Sequence, residues 1–263
     1  MMKKTVTIFL IMLLCGCAII QKSSNEYRPE VAENKLQKEF DSIPSPANGK
    51  KISVAVYSFQ DKTGQRRNIP NVASFSMAVT QGAEVFLIKA LQDVGQGKWF
   101  DVVERVNIDA LVKERTIIKQ MRDAYEGKES KPLMPLLFAG MIIDGGIIGY
   151  DSGVESGGSA YRWLGVGPQT QYSKDVVTIS LRAISVNTGK VLAAVTVTKT
   201  VYSTADSVAV LKFFRNGTAS FEAETGLTIN EPATLAVKAT IESAVVELIK
   251  EGEKKGVWEV KQE

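Results

Sequence analysis

Thr204-Ala-Asp-Ser-Val-Ala-Val-Leu-Lys-Phe-Phe214 is followed by Arg215-Asn-Gly-Thr218 and by a return run, Phe221-Glu-Ala-Glu-Thr-Gly-Leu-Thr228. The outgoing run has about the length of a strand that crosses a bilayer at a tilt, roughly 9–11 residues. Asn216-Gly217 between two apolar-bearing runs is a strong short hairpin signal, because both residues accept positive φ. On the return, Phe221, Ala223, Thr225 and Leu227 alternate with Glu222, Glu224, Gly226 and Thr228. Successive side chains of a strand point to opposite faces, so one face is apolar and the other acidic. The composition of residues 204–228 therefore predicts a membrane hairpin. Leu211, Phe213 and Phe221 are expected to face lipid, and Lys212, Glu222 and Glu224 a water-filled lumen. A soluble β-hairpin is the alternative reading.

A second segment, residues 154–174, has a similar form: Val154-Glu-Ser-Gly-Gly-Ser-Ala-Tyr161-Arg-Trp163-Leu-Gly-Val-Gly-Pro-Gln-Thr-Gln-Tyr172. Gly157, Gly158, Gly165 and Gly167 loosen a strand, while Tyr161 and Trp163 suit an aromatic anchor at a membrane interface. Taken alone, this segment reads better as a flexible Gly/Ser surface loop. Residues 174–186 lead from it in strict alternation, Val177, Ile179, Leu181 and Ala183 opposing Thr178, Ser180 and Arg182. Asn187-Thr-Gly189 turns the chain into 191–203, a long strand that feeds the second hairpin. Both membrane hairpins are thus expected to prolong strands of a soluble sheet.

Upstream the pattern is α/β. Ile52, Val54 and Val56 mark a strand, and a polar loop over 61–71 contains Arg66 and Arg67. Ser74 is placed to cap a helix carrying Ala78, Ala83, Phe86, Leu87, Ala90, Leu91 and Val94 at helical spacing. A strand at 99–103 precedes a second helix, with Ile108, Leu111, Val112, Arg115 and Ile118 on one face. Residues 132–138 suggest a short helix and 141–150 a buried strand. After Asn230 and Pro232, a helix over 235–250 ends near Gly252 and Gly256. The fold class is a mixed α+β or α/β domain, a mixed sheet flanked by helices, carrying the two membrane hairpins.

At the N-terminus, Met1-Met-Lys-Lys is a basic stretch and residues 6–14 are apolar but too short to span a bilayer. They end in Leu14-Cys15-Gly16-Cys17, which resembles the bacterial lipobox, in which the last cysteine is acylated. The organisation read from this is a signal peptide at 1–16, a lipidated tether at 17–49 with a short helix around 31–40, and a domain at 50–263. Ala18 after Cys17 resembles lipoproteins sorted to the outer membrane. No cysteine follows Cys17, so neither a disulfide framework nor a cysteine metal site is expected.

The 263 residues are 44% hydrophobic and 23% charged, with 32 basic and 29 acidic side chains. Losing Lys3 and Lys4 with a leader leaves 30 basic against 29 acidic, which predicts no nucleic-acid partner. There is no histidine, the commonest general base and metal ligand. No phosphate-binding glycine loop follows a strand. The expectation is a protein without catalytic activity, cofactor or metal.

Several short stretches then combine: Asp61-x-Thr-Gly-Gln65, Phe75-Ser-x-Ala-Val79, Ser156-Gly-Gly158, Thr170-Gln-Tyr172, Thr188-Gly189 and Asn230-Glu-Pro232. Together these resemble the curli secretion channel, the CsgG family, from the lipobox to about Trp258. The resemblance implies an outer-membrane lipoprotein anchored by palmitate, whose nine subunits form a homo-oligomeric ring. Each subunit would give two hairpins to one large β-barrel above a periplasmic vestibule. Unfolded amyloid subunits (curlins) for the biofilm would cross it without ATP, with periplasmic capping and surface accessory proteins as partners. The family narrows its channel with a loop carrying a Tyr, an Asn and a Phe. The Phe matches Phe75, the Asn position holds Ser74, and the Tyr position falls near Ile69. By itself, Phe75 reads as an apolar residue that staples the start of a helix.

Physics points to an oligomer independently of the resemblance. Four strands cannot close a barrel, since the smallest outer-membrane barrels use about 8. Unpaired edges in hydrocarbon cost several kcal/mol per group, so neighbouring copies must share them. The competing reading is a non-channel outer-membrane lipoprotein, an adaptor or activator, in which 154–174 and 204–228 are soluble loops.

Overall fold

A computed structural model of the chain describes residues 37–65, 79–127, 131–161, 166–213, 220–230 and 233–261. They belong to one compact unit, Lys35–Glu263; the other, Met1–Asn34, lies outside the described residues. Seven strands form one mixed sheet. Helix α1 (Gln37–Ser42) precedes β1 (Ile52–Val56), β2 (Phe59–Asp61), α2 (Ala83–Gly97), β3 (Phe100–Glu104) and α3 (Ile108–Tyr125). Then come β4 (Met141–Ala160), β5 (Val166–Ser185), β6 (Val191–Phe213), β7 (Ser220–Asn230) and α4 (Ala233–Lys254).

The sheet order is β3-β1-β4-β5-β6-β7, with β2 also on β4. β1 runs parallel to β3 and β4, and β2 parallel to β4. From β4 to β7 every pairing is antiparallel. Val54, Ala55 and Val56 are all buried, as an inner parallel strand requires. Along β5, Val177, Ile179, Leu181 and Ala183 are buried while their neighbours are only partly covered, so one face packs and the other is wet. α4 lies on that packed face, against β5 and β6, and also touches α2. Leu87 and Leu91 of α2 and Ile241, Leu248 and Ile249 of α4 complete the core. The expected mixed sheet with flanking helices is therefore present.

Several local expectations change. α2 begins at Ala83, not near Ser74. Gly82 occupies the N-cap position, and Gln81 turns its amide back onto the Val79 carbonyl instead of continuing a helix. Ser74 and Ala78 lie outside the described residues. Residues 132–138 form no helix. Pro135 lacks a donor and disfavours helical geometry at Met134, and the segment lies beside α3 without regular secondary structure. Arg105, Arg115 and Arg122 donate to the carbonyls of Leu137, Met134 and Lys131 at 2.8, 2.6 and 2.8 Å. α3 itself has no buried residue, although its spacing predicts a packing face.

The folded unit begins before residue 50. α1 starts at Gln37, Phe40 is fully buried, and the Trp99 Nε1 donates to the Pro44 carbonyl at 2.8 Å. Pro46 bridges Val260, and Lys261 N donates to the Ser45 carbonyl, so the two ends of this unit clip together. Gly252 lies within α4, where the Trp258 ring sits so close that a Cβ would be 2.1 Å from Cζ2. Asn230 closes β7 instead of capping α4, whose first residue is Ala233.

Candidate functional site

The three long strands carry the candidate site. β4 and β5 have 20 residues each and β6 has 23, against a usual strand of about 5–6. The lower halves of β5 and β6 pack against α4, and the upper halves of all three strands continue the same ladders. β4 pairs with β5 from Met141↔Ser185 to Ala160↔Gln169, and β6 pairs with β7 from Ser203↔Asn230 to Phe213↔Ser220. The β4–β5 and β6–β7 ladders are thus prolongations of the sheet that packs against α4. Trp163 and the turn around Asn216-Gly217 lie outside the described residues.

At the junction of the two halves β4 bulges, between Asp151 and Glu155. Asp175 holds the bulge: Tyr150 Oη donates to its Oδ2 at 3.1 Å and Gly153 N to its Oδ1 at 2.9 Å. Gly153 has φ of 64°, a conformation glycine adopts without strain. A bulge bends a strand and re-aims the side chains beyond it. Asp175 was not legible as this anchor because its partners come from another strand.

Above the bulge the glycines have a packing role, where the sequence suggested only looseness. A Cβ on Gly158 would come 2.7 Å from the Thr170 carbonyl oxygen, and the Gly157 position is covered by the Tyr172 ring. The edges are open. β1 and β2 cover β4 only as far as Ile147, so among the described residues its flank from Gly149 to Ala160 has no strand partner. The outer flank of β7 is likewise unpaired among them.

The register of β6 and β7 corrects the expected division of residues. Leu211 is paired with Glu222 and Lys212 with Phe221. Directly opposite residues share a face. The grouping of Lys212 with Glu222 and Glu224, and of Leu211 and Phe213 with Phe221, is not the one this pairing makes. Hydrophobic alternation sorts residues within each strand separately, and parity between strands is set only by register.

Cys17, Ile69, Ser74 and Phe75 lie outside the described residues, as do Arg66 and Arg67. The residues on either side of 66–78 are described. The Asp61 carboxylate accepts from Thr63 N and Thr63 Oγ1 at 2.9 and 2.6 Å, and from Gln81 Nε2 at 3.2 Å. Asp61 ends β2 and Gln81 precedes α2, so one carboxylate joins residues on either side of 66–78. The Asp-x-Thr turn was a usable signal for the first bonds; the reach to Gln81 was not.

Among the described residues no three His, Cys, Asp or Glu side chains gather to hold a metal, and no helix is long and apolar enough to cross a membrane. The latter says nothing of strands. The buried acid Glu242 lies on α4 with Lys238 at 3.6 Å. Burial pushes its carboxyl up from the ordinary value of 4.5, and Lys238 opposes the shift without cancelling it.

The model of the family described as "Curli production assembly/transport component CsgG" matches residues 35–263. The protein of that name from Escherichia coli (strain K12) is 34% identical over 261 residues, covering 98% of this chain and 92% of that protein. Its counterparts in Salmonella typhimurium and Citrobacter koseri show the same 34% identity and coverage. A PelC dodecamer from Paraburkholderia phytofirmans is 14% identical, covers 79% of this chain and 91% of its own, and has a TM-score of 0.27. A likeness that low has no bearing on assembly here.

Proposed function

The chain belongs to the family of curli production assembly/transport components, and we propose that it works as an outer-membrane secretion channel. In this reading several copies form a ring, nine as the family resemblance implies, and an unfolded amyloid subunit passes through from periplasm to cell surface. The observation that carries it is the prolongation of β4, β5 and β6 past the helical layer with open flanks on β4 and β7. In hydrocarbon, an open flank leaves N–H and C=O groups unsatisfied at several kcal/mol each. Pairing the β4 flank of one copy with the β7 flank of the next removes every edge. Head-to-tail contacts of this kind close into rings when the rotation permits.

The remaining parts belong to the same reading. Cys17 carries the lipid anchor, and the loop with Ile69, Ser74 and Phe75 forms the narrowest ring, its ends tied at Asp61. Movement is passive and no reaction is catalysed, in keeping with the lack of a phosphate-binding loop in the sequence. Capping and surface proteins belong to the scheme by family resemblance alone. Electron microscopy of detergent-extracted protein, with single-channel recordings in planar bilayers, tests the proposal. Rings that conduct without nucleotide support it. A monodisperse monomer that does not conduct removes it in favour of a non-channel lipoprotein.

A further inference from the structure

Resting on that reading, we infer that the hairpin face bearing Tyr161, Tyr172 and Tyr202 meets the lipid, and that the face bearing Gln169 and Gln171 lines the aqueous lumen. The register groups them. Tyr161 N donates to the Pro168 carbonyl, continuing the ladder beyond Ala160↔Gln169. Tyr172 is paired with Gly157 on one side and with Thr204 on the other, and Lys174 with Tyr202. Opposite residues share a face, and so do alternate residues of one strand. The three tyrosines therefore stand on one face, at 71%, 39% and 59% exposure. The other face holds Ser156, Gly158, Gln169, Gln171 and Ser173.

A second strand, with its own sequence pattern, sorts the same way. Following the register through β6, positions 221, 223, 225, 227 and 229 fall on the tyrosine face, and they are Phe, Ala, Thr, Leu and Ile. Positions 222 and 224, both Glu, fall on the glutamine face. Tyrosine pairs an apolar ring with a polar tip and suits the boundary of a bilayer. Amides and carboxylates in contact with lipid cost several kcal/mol but are hydrated without penalty in a wide lumen. Leu211 and Phe213 then belong to the lumen register near the hairpin tip. Position 212, opposite 221, belongs to the lipid register there. Asp206, opposite Thr170, is the acid that this register sets furthest into the lipid face.

No cysteine follows Cys17, and in the proposed reading Cys15 leaves with the leader and Cys17 is acylated, so a cysteine introduced in a hairpin is the one free thiol of the processed chain. Tyr172→Cys and Gln171→Cys, each carrying a nitrobenzoxadiazole fluorophore, are reconstituted into phosphatidylcholine liposomes. Quenching by nitroxide-labelled lipid is compared with quenching by iodide. The expected result is several-fold stronger lipid quenching at 172 and several-fold stronger iodide quenching at 171. The reverse pattern in protein that still conducts overturns the face assignment and leaves the channel standing. Iodide quenching at both sites without lipid quenching, in protein that does not conduct, overturns the assignment and the channel together. Thr170→Cys against Gln169→Cys repeats the comparison with the Tyr172 ring in place, and decides the matter if Tyr172→Cys fails to assemble.

Discussion

The ring of Tyr172 lies across Gly157 of the neighbouring strand, so that a Cβ at Gly157 would come 2.7 Å from Cε1 and 2.8 Å from Oη. An absent side chain on β4 is what lets the tyrosine lie flat on the ladder and stay partly covered. The contact joins the expected weakness of a glycine-rich strand to the expected anchoring by an aromatic, within a single cross-strand pair.

The glycines of β4 are predicted to differ in their tolerance. Gly157→Ala meets the movable end of a side chain, and a swing of the Tyr172 ring relieves it. Gly158→Ala meets the Thr170 carbonyl at 2.7 Å, and Gly145→Ala meets the Ser180 carbonyl at 2.3 Å and the Leu181 side chain at 2.8 Å. Backbone cannot yield so readily. Urea titrations of the three variants should rank Gly157→Ala as mildest, within about 1 kcal/mol of the parent, and Gly145→Ala as the most destabilising, at about 2 kcal/mol or more. Equal midpoints for Gly145→Ala and the parent would contradict the pairing of β4 with β5.

The helical layer over the sheet makes a plain demand on α4. Leu248 is fully buried in the common core. Leu248→Ala should cost about 2–5 kcal/mol, the range for large-to-small changes in cores. A loss below about 1 kcal/mol in denaturant unfolding would mean that α4 does not pack as described.

Asp61 joins residues on either side of 66–78, a stretch that includes Phe75. Asp61→Ala removes acceptors for Thr63 and Gln81, each bond contributing about 1 kcal/mol net. A modest stability loss of about 1–2 kcal/mol is expected, together with an altered and noisier single-channel conductance. Phe75→Ala should raise conductance with stability nearly unchanged. Unaltered conductance in Phe75→Ala would return Phe75 to a packing role.

Glu242 carries a pH signature opposite to that of an ordinary surface-paired acid. Burial raises its folded-state value above 4.5, so the folded state holds the proton more tightly than the unfolded chain does. The ionised form therefore costs stability. That cost is absent below pH 4.5, grows as pH rises towards the raised folded value, and is complete above it. Comparing the denaturation midpoint of Glu242→Gln with the parent between pH 4.5 and pH 8 isolates the effect. The parent's midpoint should fall relative to the variant's with rising pH; a difference that stays constant would remove the burial argument.

A good part of this protein was legible in the chain itself. Val177, Ile179, Leu181 and Ala183 announced their packed face because a strand repeats every two residues, and Gly189 announced its turn through the positive φ it adopts, 68°. The alternation over 221–228 and Asn216-Gly217 pointed to a hairpin in the second segment, whereas 154–174 taken alone read as a Gly/Ser loop. The path of 132–138 was misread as a short helix, because the apolar content of the stretch outweighed Pro132 and Pro135. Tertiary structure alone decided three things. It set the parity of β6 against β7, because a one-residue change of register exchanges faces while leaving each strand's own pattern untouched. It clipped Pro46 to Val260, a pairing between opposite ends that no local pattern encodes. It also left α3 without a buried residue, because an amphipathic spacing states which side can pack but not whether a surface is there to receive it.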